Sequence, residues 1–204
     1  MSDRDYWERH ARNYDASLRW VLGRTLPRML ELASESVRGR QSVLEVAAGT
    51  GIVTSAIAET ADSIVATDYA AAMVEALKQR VQDAGLKNVT CEQADVYALP
   101  YSDGEFDAVV AANVLHLVPD LPAAIRALRN VTKPGGMLVT PTFCHDETKV
   151  SWLVSRLLAI SGFPGYRRFT MQSLRIALEE NGVQITRAEL LPGLIPIGFV
   201  EGVL

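Results

Sequence analysis

The stretch Val43-Leu44-Glu45-Val46-Ala47-Ala48-Gly49-Thr50-Gly51 decides the fold of this chain. It begins as a short apolar strand, turns acidic at Glu45 and continues as a run of very small residues. A helical pattern then starts at Ile52. A strand that enters a helix through small residues allows a ligand to lie against bare backbone at the positive end of the helix. The stretch therefore predicts a nucleotide-type cleft.

The glycine pattern of this turn distinguishes between two classes of nucleotide cofactor. A dinucleotide fingerprint requires G-x-G-x-x-G, whose last glycine permits close contact between helix and strand. Here Ile52 or Thr54 occupies the place of that third glycine, and the small-residue run opens with Ala47 instead of glycine. A nucleoside without a pyrophosphate needs fewer glycines, and an acid in the turn suits a cationic ligand. Both features favour S-adenosylmethionine, with an ordinary strand-to-helix turn as the structural alternative.

Length and composition bound the remaining possibilities. A chain of 204 residues, of which 49% are hydrophobic, fits one α/β domain with a substantial core. The net charge of −4 provides no general basic field, so a nucleic-acid partner is not expected. Cys91 and Cys144 match no metal-ligand spacing, which predicts no metal site and no disulfide framework. Without a secretory apolar segment or a stretch of about 18 uncharged apolar residues, we expect a cytoplasmic protein with no stable membrane insertion.

An acid follows the second predicted strand at the distance that a nucleoside site requires. The strand Ile64-Val65-Ala66-Thr67 ends at Asp68, nineteen residues after Gly49. About 20 residues separate a glycine turn from a ribose-binding acid in nucleotide-binding folds. Asp68 is therefore predicted to accept hydrogen bonds from both ribose hydroxyls. Its alternative role is to cap the helix predicted from Ala70 to Ala84.

Two residues after Asp68 and an acid on the next strand extend the same site. Tyr69 and Met73 are placed to lie against the faces of a purine, although a methionine at helical spacing is also typical of a core. The third strand, Asn88 to Gln93, leads to Asp95. Asp95 is placed to accept from an exocyclic amine while a neighbouring backbone N–H faces a ring nitrogen. Its alternative role is a helix cap.

The middle of the chain predicts the sheet. The apolar run Phe106 to Ala112 is typical of a strand covered on both faces, and it exits at Asn113-Val114-Leu115-His116 before a helix from Leu121 to Val131. A tight turn, Lys133-Pro134-Gly135-Gly136, then enters a fifth strand, Met137 to Thr142. Four strand–helix alternations predict a parallel, doubly wound α/β sheet whose ligands gather at the carboxyl ends of the strands.

The N-terminal region is predicted to be helical. Apolar and aromatic residues recur at three- and four-residue steps from Tyr6 to Leu22, which indicates one amphipathic helix with an Asp15–Arg19 pair on its surface. A second helix follows from Thr25 to Val37. Because the first helix precedes the sheet, we interpret it either as a packed helix or as a lid over the cleft.

An insertion between the fifth strand and a helix at Met171 to Asn181 carries a second helical pattern. One face of this predicted helix carries a mainly apolar stripe, formed by Val150, Leu153, Val154, Leu157, Leu158 and Ser161. Trp152 lies off this stripe. A helix here would stand over the strand ends and, together with the N-terminal helix, would form the walls of an acceptor pocket. Core packing or a homodimer contact is the alternative. Arg167 and Arg168 beside Tyr166 would meet an anionic acceptor or be solvated.

Together these pieces resemble the class I S-adenosylmethionine-dependent methyltransferases, and most of all their small-molecule group that includes the ubiquinone and menaquinone C-methyltransferases (methyltransferase type 11). The matching segments are Ala11 to Asp15, Val43 to Gly51, Val65 to Tyr69 with Met73, Gln93 to Val96, Asp107 through Asn113 to Leu117, and Lys133 to Gly136. Ala47 departs from the commoner glycine, and a methyl group there is small enough to leave binding intact.

The resemblance implies the whole architecture. It implies a Rossmann-like methyltransferase fold, with a seven-stranded, mostly parallel sheet completed by an antiparallel hairpin from Val183 to Leu190 and Ile195 to Val200. Residues 1–204 would form a single methyltransferase domain. Residues 1–38 would be a helical lid, and residues 145–169 a helical insertion over the acceptor site.

The resemblance also implies the cofactor site. The expected cofactor-binding residues are Tyr14, Glu45, Ala47, Gly49, Thr50, Gly51, Asp68, Tyr69, Met73, Asp95, Val96 and Asn113. Glu45, Gly49 and the backbones of Ala47 and Asn113 would hold the methionine end. Asp68 would bind the ribose, and the adenine would lie between Tyr69, Met73, Asp95 and the Val96 N–H. Tyr14 would close over the site.

The expected reaction is methyl transfer to a small, partly apolar acceptor by in-line displacement. Asn113-Val114-Leu115-His116 is not the Asn/Asp-Pro-Pro-aromatic motif of amino-nucleobase enzymes, and neither cysteine follows a proline, so base methylation is not expected. No catalytic residue is assigned; His116, His145, His10 and Tyr14 are candidates for a general base, which is needed only if the acceptor starts protonated. The alternatives are an NAD(P)-dependent reductase and a non-catalytic cofactor-binding partner subunit.

Overall fold

The computed structural model describes residues 3–11, 14–160 and 165–204. Its helices are α1 Asp3–His10, α2 Tyr14–Leu22, α3 Thr25–Val37, α4 Ile52–Ile57, α5 Ala71–Asp83, α6 Leu121–Val131, α7 Lys149–Ile160 and α8 Met171–Glu180. Its strands are β1 Val43–Val46, β2 Ile64–Asp68, β3 Val89–Gln93, β4 Phe106–Val110, β5 Thr132–Val139, β6 Thr142–Phe143, β7 Gln184–Leu191 and β8 Ile197–Val203. Within the described ranges, no helix has both the length and the apolar character needed to cross a bilayer.

The strands form one mixed sheet in which the chain reverses its direction of travel beside β1. The order is β3-β2-β1-β4-β5-β8, with β1 to β5 parallel and β8 antiparallel to β5 and β7. The sheet first grows from β1 towards β3 and then from β1 towards β4, so β1 and β4 flank a topological switch point. Ligands bind at such a point, outside the carboxyl ends of the strands. The predicted doubly wound sheet with its C-terminal hairpin is confirmed.

The number of strands differs from the predicted seven because the fifth strand is interrupted. Among the described residues there are eight strands, and β6 pairs with β8 beyond the point where β5 leaves it. Pro141, between β5 and β6, has no backbone N–H to donate to a ladder. Its carbonyl instead accepts from the Asn113 backbone N–H at 2.7 Å. The break at Pro141 thus divides one predicted strand into two, and the hydrogen bond from Asn113 joins the break to the loop after β4.

The segment Lys133-Pro134-Gly135-Gly136 also differs from its prediction. It lies inside β5 and does not precede it. The pairing with β4 moves from Phe106–Thr132 to Ala108–Met137, so the residues between Thr132 and Met137 bulge out of the ladder. Gly135 has a φ of 76°, a conformation that glycine adopts readily. The expected turn is therefore a bulge within a longer strand.

Two apolar layers cover the sheet. One contains the inward faces of α3, α4 and α5, represented by Leu32, Ile57 and Leu77, which are all fully buried. The other contains α6 and α8, represented by Leu128 and Leu174. Alternate strand residues point to opposite faces, so consecutive residues of β1 enter different layers. This alternation of layers holds the strand ends, and hence the site, in a fixed frame.

The predicted single N-terminal helix is wrong, because the structure has two helices, α1 and α2. They contact different parts of the domain: α1 lies against α5, whereas α2 lies against α3. One straight helix cannot make both contacts. Asp15 of α2 pairs with Arg80 of α5, and not with Arg19 as predicted. Arg12 and Asn13, part of the predicted Ala11 to Asp15 motif, lie outside the described residues.

The insertion is helical as predicted, and three residues of its apolar stripe face outwards, whereas Val154 packs against the core. Val150, Leu153 and Leu157 of α7 are more than half exposed, whereas Ser151 and Ser155 are buried. The helix begins with reciprocal hydrogen bonds, in which the Thr148 N–H donates to Ser151 Oγ at 2.9 Å and the Ser151 N–H donates to Thr148 Oγ1 at 3.0 Å. This capping is consistent with the rotation that turns Ser151 inwards. The predicted members Leu158 and Ser161 fall outside the described side chains.

Candidate functional site

The turn after β1 is built from left-handed backbone. Gly49 and Gly51 have φ values of 58° and 85°, and Ala47 has a φ of 53°. Such values cost little for glycine and about 1–2 kcal/mol for a residue with a Cβ, so Ala47 holds a conformation that suits glycine better. A Cβ on Gly51 would lie 2.5 Å from Leu77 Cδ1, so the fully buried Leu77 side chain would have to shift. Both conformation and space therefore favour glycine at this position.

Asp68 joins the end of β2 to this turn. Its Oδ2 accepts from the Gly49 N–H at 2.9 Å, and its Oδ1 accepts from the Ala70 N–H at 2.9 Å. Burial raises the pKa of this carboxyl, and the backbone hydrogen bonds oppose that rise. A carboxylate has about four acceptor sites, so these backbone bonds leave acceptor capacity for a ligand hydroxyl. Asp68 is thus held in place while it stays able to bind a ribose.

A cavity of about 230 Å³ opens at the carboxyl ends of β1 to β4. The predicted cofactor-binding residues that line it are Tyr14, Ala47, Gly49, Asp68, Tyr69, Met73, Asp95, Val96 and Asn113. Asp95 is exposed, and its Oδ1 accepts from the Tyr97 N–H at 3.0 Å. The structure therefore brings together, on one wall, residues that the sequence spreads over about a hundred positions.

Asn113 faces this cavity with an unusual backbone and an unsatisfied oxygen. Its φ is 52°, and asparagine tolerates left-handed backbone better than most residues. Its side chain is buried, and in the described part of the chain its Oδ1 has no hydrogen-bond partner. A buried unpaired oxygen costs about 1–3 kcal/mol, a cost that a ligand with an N–H or O–H donor removes. The arrangement fits a polar ligand at the switch point.

The N-terminal helices cover the turn. The edge of the Tyr14 ring lies 3.4 Å from the place where a Cβ on Gly49 would stand. Asp15 accepts from Thr50 Oγ1 and pairs with Arg80, whose Nε donates to the Thr50 carbonyl at 2.6 Å. Burial is the main cause that raises the pKa of the Tyr14 phenol, which therefore stays protonated at neutral pH.

A second contact holds α1 in place. Both carboxylate oxygens of Glu8 accept backbone hydrogen bonds at the start of α5, from Ala71 at 2.7 Å and from Ala72 at 2.9 Å. An acid at a helix N-terminus satisfies unpaired N–H groups and interacts favourably with the helix dipole. The two helices therefore have separate anchors, one at α5 and one at the glycine turn.

Three predicted residues, Glu45, Thr50 and Gly51, are not among the described residues that line the cavity. Glu45 is fully buried on β1, and its Oε2 accepts from Thr54 Oγ1 of α4 at 2.6 Å. Burial raises the pKa of Glu45 to about 8, so the carboxyl is mostly protonated at neutral pH. Thr50 and Gly51 shape the turn from behind. Ligand contact by these three stays a prediction.

A second cavity of about 200 Å³ lies beside the first. Its walls are mainly aromatic and aliphatic, with all three histidines of the chain among them. The lining residues are Tyr6, Trp7, His10, Tyr14, Ser17, Leu18, Val21, Asn113, His116, Leu117, Phe143, His145 and Ile195. The helix α7 contributes none of these residues, so the prediction that it forms a pocket wall is not supported by the described lining.

The two cavities share part of their walls, and the sequence indicates this only in part. Trp7, Tyr14, Asn113 and Leu117 line both cavities. Trp7 is predicted from the sequence only as a member of an amphipathic helix, although the aromatic character of that helix is a signal for a site. Tyr97, which also lines the first cavity, gives no signal beyond its position two residues after Asp95.

Comparison with known proteins adds the family. Residues 44–140 match the family described as "Methyltransferase domain". The region from β1 to β5 is therefore similar to methyltransferase domains. The match begins within β1 and ends just after β5, so it contains the glycine turn, Asp68, Asp95 and Asn113.

Individual relatives with similar sequences are also methyltransferases by name. The chain is 37% identical over 105 residues to a demethylmenaquinone methyltransferase of Renibacterium salmoninarum, over 52% of this chain and 42% of the relative. It is 31% identical over 131 residues to a ubiquinone/menaquinone biosynthesis C-methyltransferase of Shewanella oneidensis, over 62% of this chain and 52% of the relative. The chain thus spans about half the length of these curated relatives.

Solved structures agree on the fold. A methyltransferase from Aquifex aeolicus, described as S-adenosylmethionine-dependent, superposes with a TM-score of 0.69 at 19% identity. The superposition covers 88% of this chain and 89% of that one. At this identity the likeness shows that the two chains share a fold and shows no more than that.

The residues of the first cavity fit S-adenosylmethionine, the cofactor of this class. The unpaired Asn113 Oδ1 matches a donor group, and Asp68 keeps acceptor capacity for a ribose hydroxyl. The cavity walls also include the apolar side chains of Met73 and Val96, against which a flat ring system packs. No group of three or more potential metal ligands occurs in the residues that the structure describes.

Proposed function

We propose that this protein is an S-adenosylmethionine-dependent methyltransferase that methylates a small, partly apolar molecule. The observation that carries the proposal is the pair of adjoining cavities with a shared wall. One cavity offers acids and an unpaired amide oxygen to a nucleoside cofactor. The other offers an apolar, ring-sized space to an acceptor. The curated relatives methylate quinone-type molecules according to their names, which supports a ring-containing acceptor.

The size of the second cavity also supports an acceptor head group of limited extent. A cavity of about 150 Å³ lined by aliphatic and aromatic side chains holds one benzene molecule. The second cavity, about 200 Å³, therefore accommodates a ring with small substituents, and any longer tail would leave through its open side. Leu18, Val21 and Ile195 provide the apolar contacts that such a ring requires.

In this proposal the chain acts mainly by positioning and by exclusion of water. When bound, S-adenosylmethionine supplies a methyl group that is already activated by its sulfonium. Asp68 and Asp95 fix the orientation of the nucleoside, and Asn113 lies at the boundary with the acceptor. Trp7 and Tyr14 cover both spaces and keep water from the reacting atoms. Correct alignment contributes a large share of the rate in such displacements.

The test is transfer of label from methyl-tritiated S-adenosylmethionine to a metabolite extract. The expected result is a labelled product that partitions into organic solvent, appears only with active protein, and falls strongly with Asp68→Ala. Binding of S-adenosylhomocysteine is measured in parallel by calorimetry. No binding of S-adenosylhomocysteine, combined with binding of NADH, would overturn the proposal in favour of a nicotinamide-dependent reductase.

Two competing functions have less support. A non-catalytic partner subunit predicts a closed or missing acceptor pocket, whereas the second cavity is present and adjoins the first. A reductase is not favoured, because the matched family and the relatives are methyltransferases. The homodimer, the cytoplasmic location and the lid role of residues 1–38 stay predictions.

A further inference from the structure

Two histidines lie together on the wall of the second cavity. His116 follows β4, and His145 follows β6, the continuation of the neighbouring strand β5. Both residues line the cavity, and they are only 1% and 4% exposed. Their ring centroids lie 5.2 Å apart. The Asn113 N–H donates to the Pro141 carbonyl at 2.7 Å, and this bond joins the loop that carries His116 to the segment that leads into β6 and His145.

Phe143 supports the pair from β6. Its ring meets the His116 ring edge to face, with centroids 5.6 Å apart, and lies 5.7 Å from the His145 ring. Phe143 is itself buried and also lines the cavity. The three rings therefore pack as one cluster, in which neither imidazole can rotate freely.

Both imidazoles are neutral at physiological pH. Burial lowers the pKa of His116 well below its ordinary value, and His145 adds to this effect. Burial also lowers the pKa of His145 to about 4. The positive charge of Arg168 adds to this lowering, and the negative charge of Asp146 opposes it. A neutral imidazole has one N–H donor and one acceptor nitrogen. The cluster thus presents donors and acceptors without charge.

The rest of the wall indicates which polar group would be bound. No lysine or arginine is among the described residues that line this cavity. A carboxylate or phosphate would lose its hydration there without a paired charge, which is costly. A hydroxyl group has no such cost, because it can donate to one ring nitrogen and accept from another.

We propose that His116 and His145 bind a hydroxyl group of the methyl acceptor and thereby determine which ring-sized molecules are methylated. The proposal rests on the proposed function and makes it more specific. Asn113 and Leu117, beside His116, line both cavities. A hydroxylated ring held by the pair therefore lies next to the cofactor space. The two histidines act as specificity-determining residues.

The experiment compares two probes that differ by a single hydroxyl group, 4-ethylphenol and ethylbenzene. Their affinities are measured by ligand-observed NMR titration at pH 7.5, with and without saturating S-adenosylhomocysteine. Because a site built for a hydroxyl discriminates against the analogue that lacks it, 4-ethylphenol should bind at least about tenfold more tightly to the wild-type protein. His116→Phe and His145→Phe should each reduce this preference to less than about threefold.

The chain offers a matched control in the third histidine. His10 lines the same cavity, but it is exposed, its ring stacks on Tyr6, and its Nδ1 contacts the Tyr6 carbonyl at 2.7 Å. His10→Phe should keep the full preference for the phenol. The conservative variant His145→Gln, which keeps a donor and an acceptor, should recover part of the preference that His145→Phe loses. A merely structural role would not produce this recovery.

Further measurements separate the possible failures. Affinity for S-adenosylhomocysteine within about twofold of the wild-type value shows that a variant is folded with an intact first cavity. Equal binding of the two probes by the wild-type protein, or loss of the preference only in His10→Phe, would overturn the role of the pair. Failure of the wild-type protein to bind S-adenosylhomocysteine would instead contradict the proposed function, and the probe preference without nucleoside would still decide the role of the histidines.

Discussion

The two cavities adjoin, yet they are built in different ways. The first is formed by loops at successive strand ends, which are joined by backbone hydrogen bonds from Ala48 to Thr67 at 2.8 Å and from Ala94 to Asp68 at 3.1 Å. The second lies where α1 and α2 meet the loops after β4, β6 and β7, and its walls are mostly side chains from distant parts of the chain.

This difference in construction matches a difference in task. A cofactor shared by many enzymes requires the same few polar contacts, which a hydrogen-bonded frame fixes accurately. An acceptor that differs between enzymes requires walls that can be changed one side chain at a time. If the two cavities have these different tasks, substitutions in the first cavity should alter stability and cofactor affinity strongly. Changes around the second cavity should produce smaller effects.

The largest expected effect is on the stability of the fold, from Gly51→Ala. The new Cβ would meet Leu77 at 2.5 Å and would sit on backbone with positive φ, so we expect a loss of about 3 kcal/mol in unfolding free energy. Gly85→Ala is the control, because Gly85 has a φ of 65° with nothing within 4 Å of the new Cβ, and it should lose about 1 kcal/mol. Urea unfolding measures both. Equal losses would show that the turn has no steric requirement at Gly51.

The next effect concerns cofactor affinity and comes from Asp68→Ala. Loss of a charged hydrogen-bond acceptor costs about 1.5–3 kcal/mol, so S-adenosylhomocysteine should bind about ten- to hundredfold more weakly in calorimetry. Asp62→Ala, at an exposed position before the same strand, is the matched control and should bind normally. Unchanged affinity of Asp68→Ala would remove the ribose assignment.

The two regions should also respond to pH in opposite directions. The folded pKa of Glu45, about 8, lies above its ordinary value, so this group contributes stability at low pH that is lost as the pH rises towards and through 8. The folded pKa of His145, about 4, lies below its ordinary value, so this group contributes stability above pH 6.5 that is lost as the pH falls towards and through 4. Glu45→Gln should remove a fall in stability between about pH 4.5 and 8, and His145→Gln should remove a rise in stability between about pH 4 and 6.5.

Urea unfolding at several pH values between 4.5 and 9 tests this pair of predictions. Each variant is the control for the other, because the two should change the slope of the profile in opposite directions. A steeper fall of stability with rising pH in Glu45→Gln would show that the protonation states assigned to the two regions are wrong.

The smallest expected effect is on the contact between the N-terminal helices and the glycine turn. Asp15 and Arg80 are about one-third exposed, and such pairs contribute up to about 1 kcal/mol. Asp15→Ala should therefore increase the release rate of S-adenosylhomocysteine about two- to fivefold in stopped-flow measurements. Glu31→Ala removes the remote surface pair Arg28–Glu31 and should leave release unchanged. An unchanged rate in Asp15→Ala would mean that α2 does not restrain the cofactor.

The parts of the first cavity that the sequence predicts have local causes. The strand–turn–helix at Val43 to Ile57 and the acids after β2 and β3 each lie within one short segment, and the sheet topology brings these segments together. The special conformation of Ala47 is not predictable in the same way, because alanine gives no sign of a positive φ. The only indication of a positive φ at Ala47 is that glycine is commoner there in the family that the chain resembles.

The second cavity is predicted only in part. The N-terminal region lines it as predicted, and so do all four candidates for a general base, but other features of the cavity have tertiary causes. The hydrophobic pattern of residues 6–22 favours one helix, whereas contacts with α5 and α3 require two. In α7 the pattern predicts a pocket wall, core packing or a dimer contact, and the helix presents Val150, Leu153 and Leu157 to solvent and buries Ser151. Hydrophobic spacing reports which residues share a helix face, and it does not report which way that face turns.

The common wall of Trp7, Tyr14, Asn113 and Leu117 has a thermodynamic consequence. Any rearrangement of these side chains on the binding of one occupant changes the affinity for the other. Linkage then requires reciprocity: the factor by which nucleoside tightens or weakens the acceptor equals the factor by which acceptor tightens or weakens the nucleoside. Four side chains thus connect two equilibria, and a change in any one of them adjusts that cooperativity.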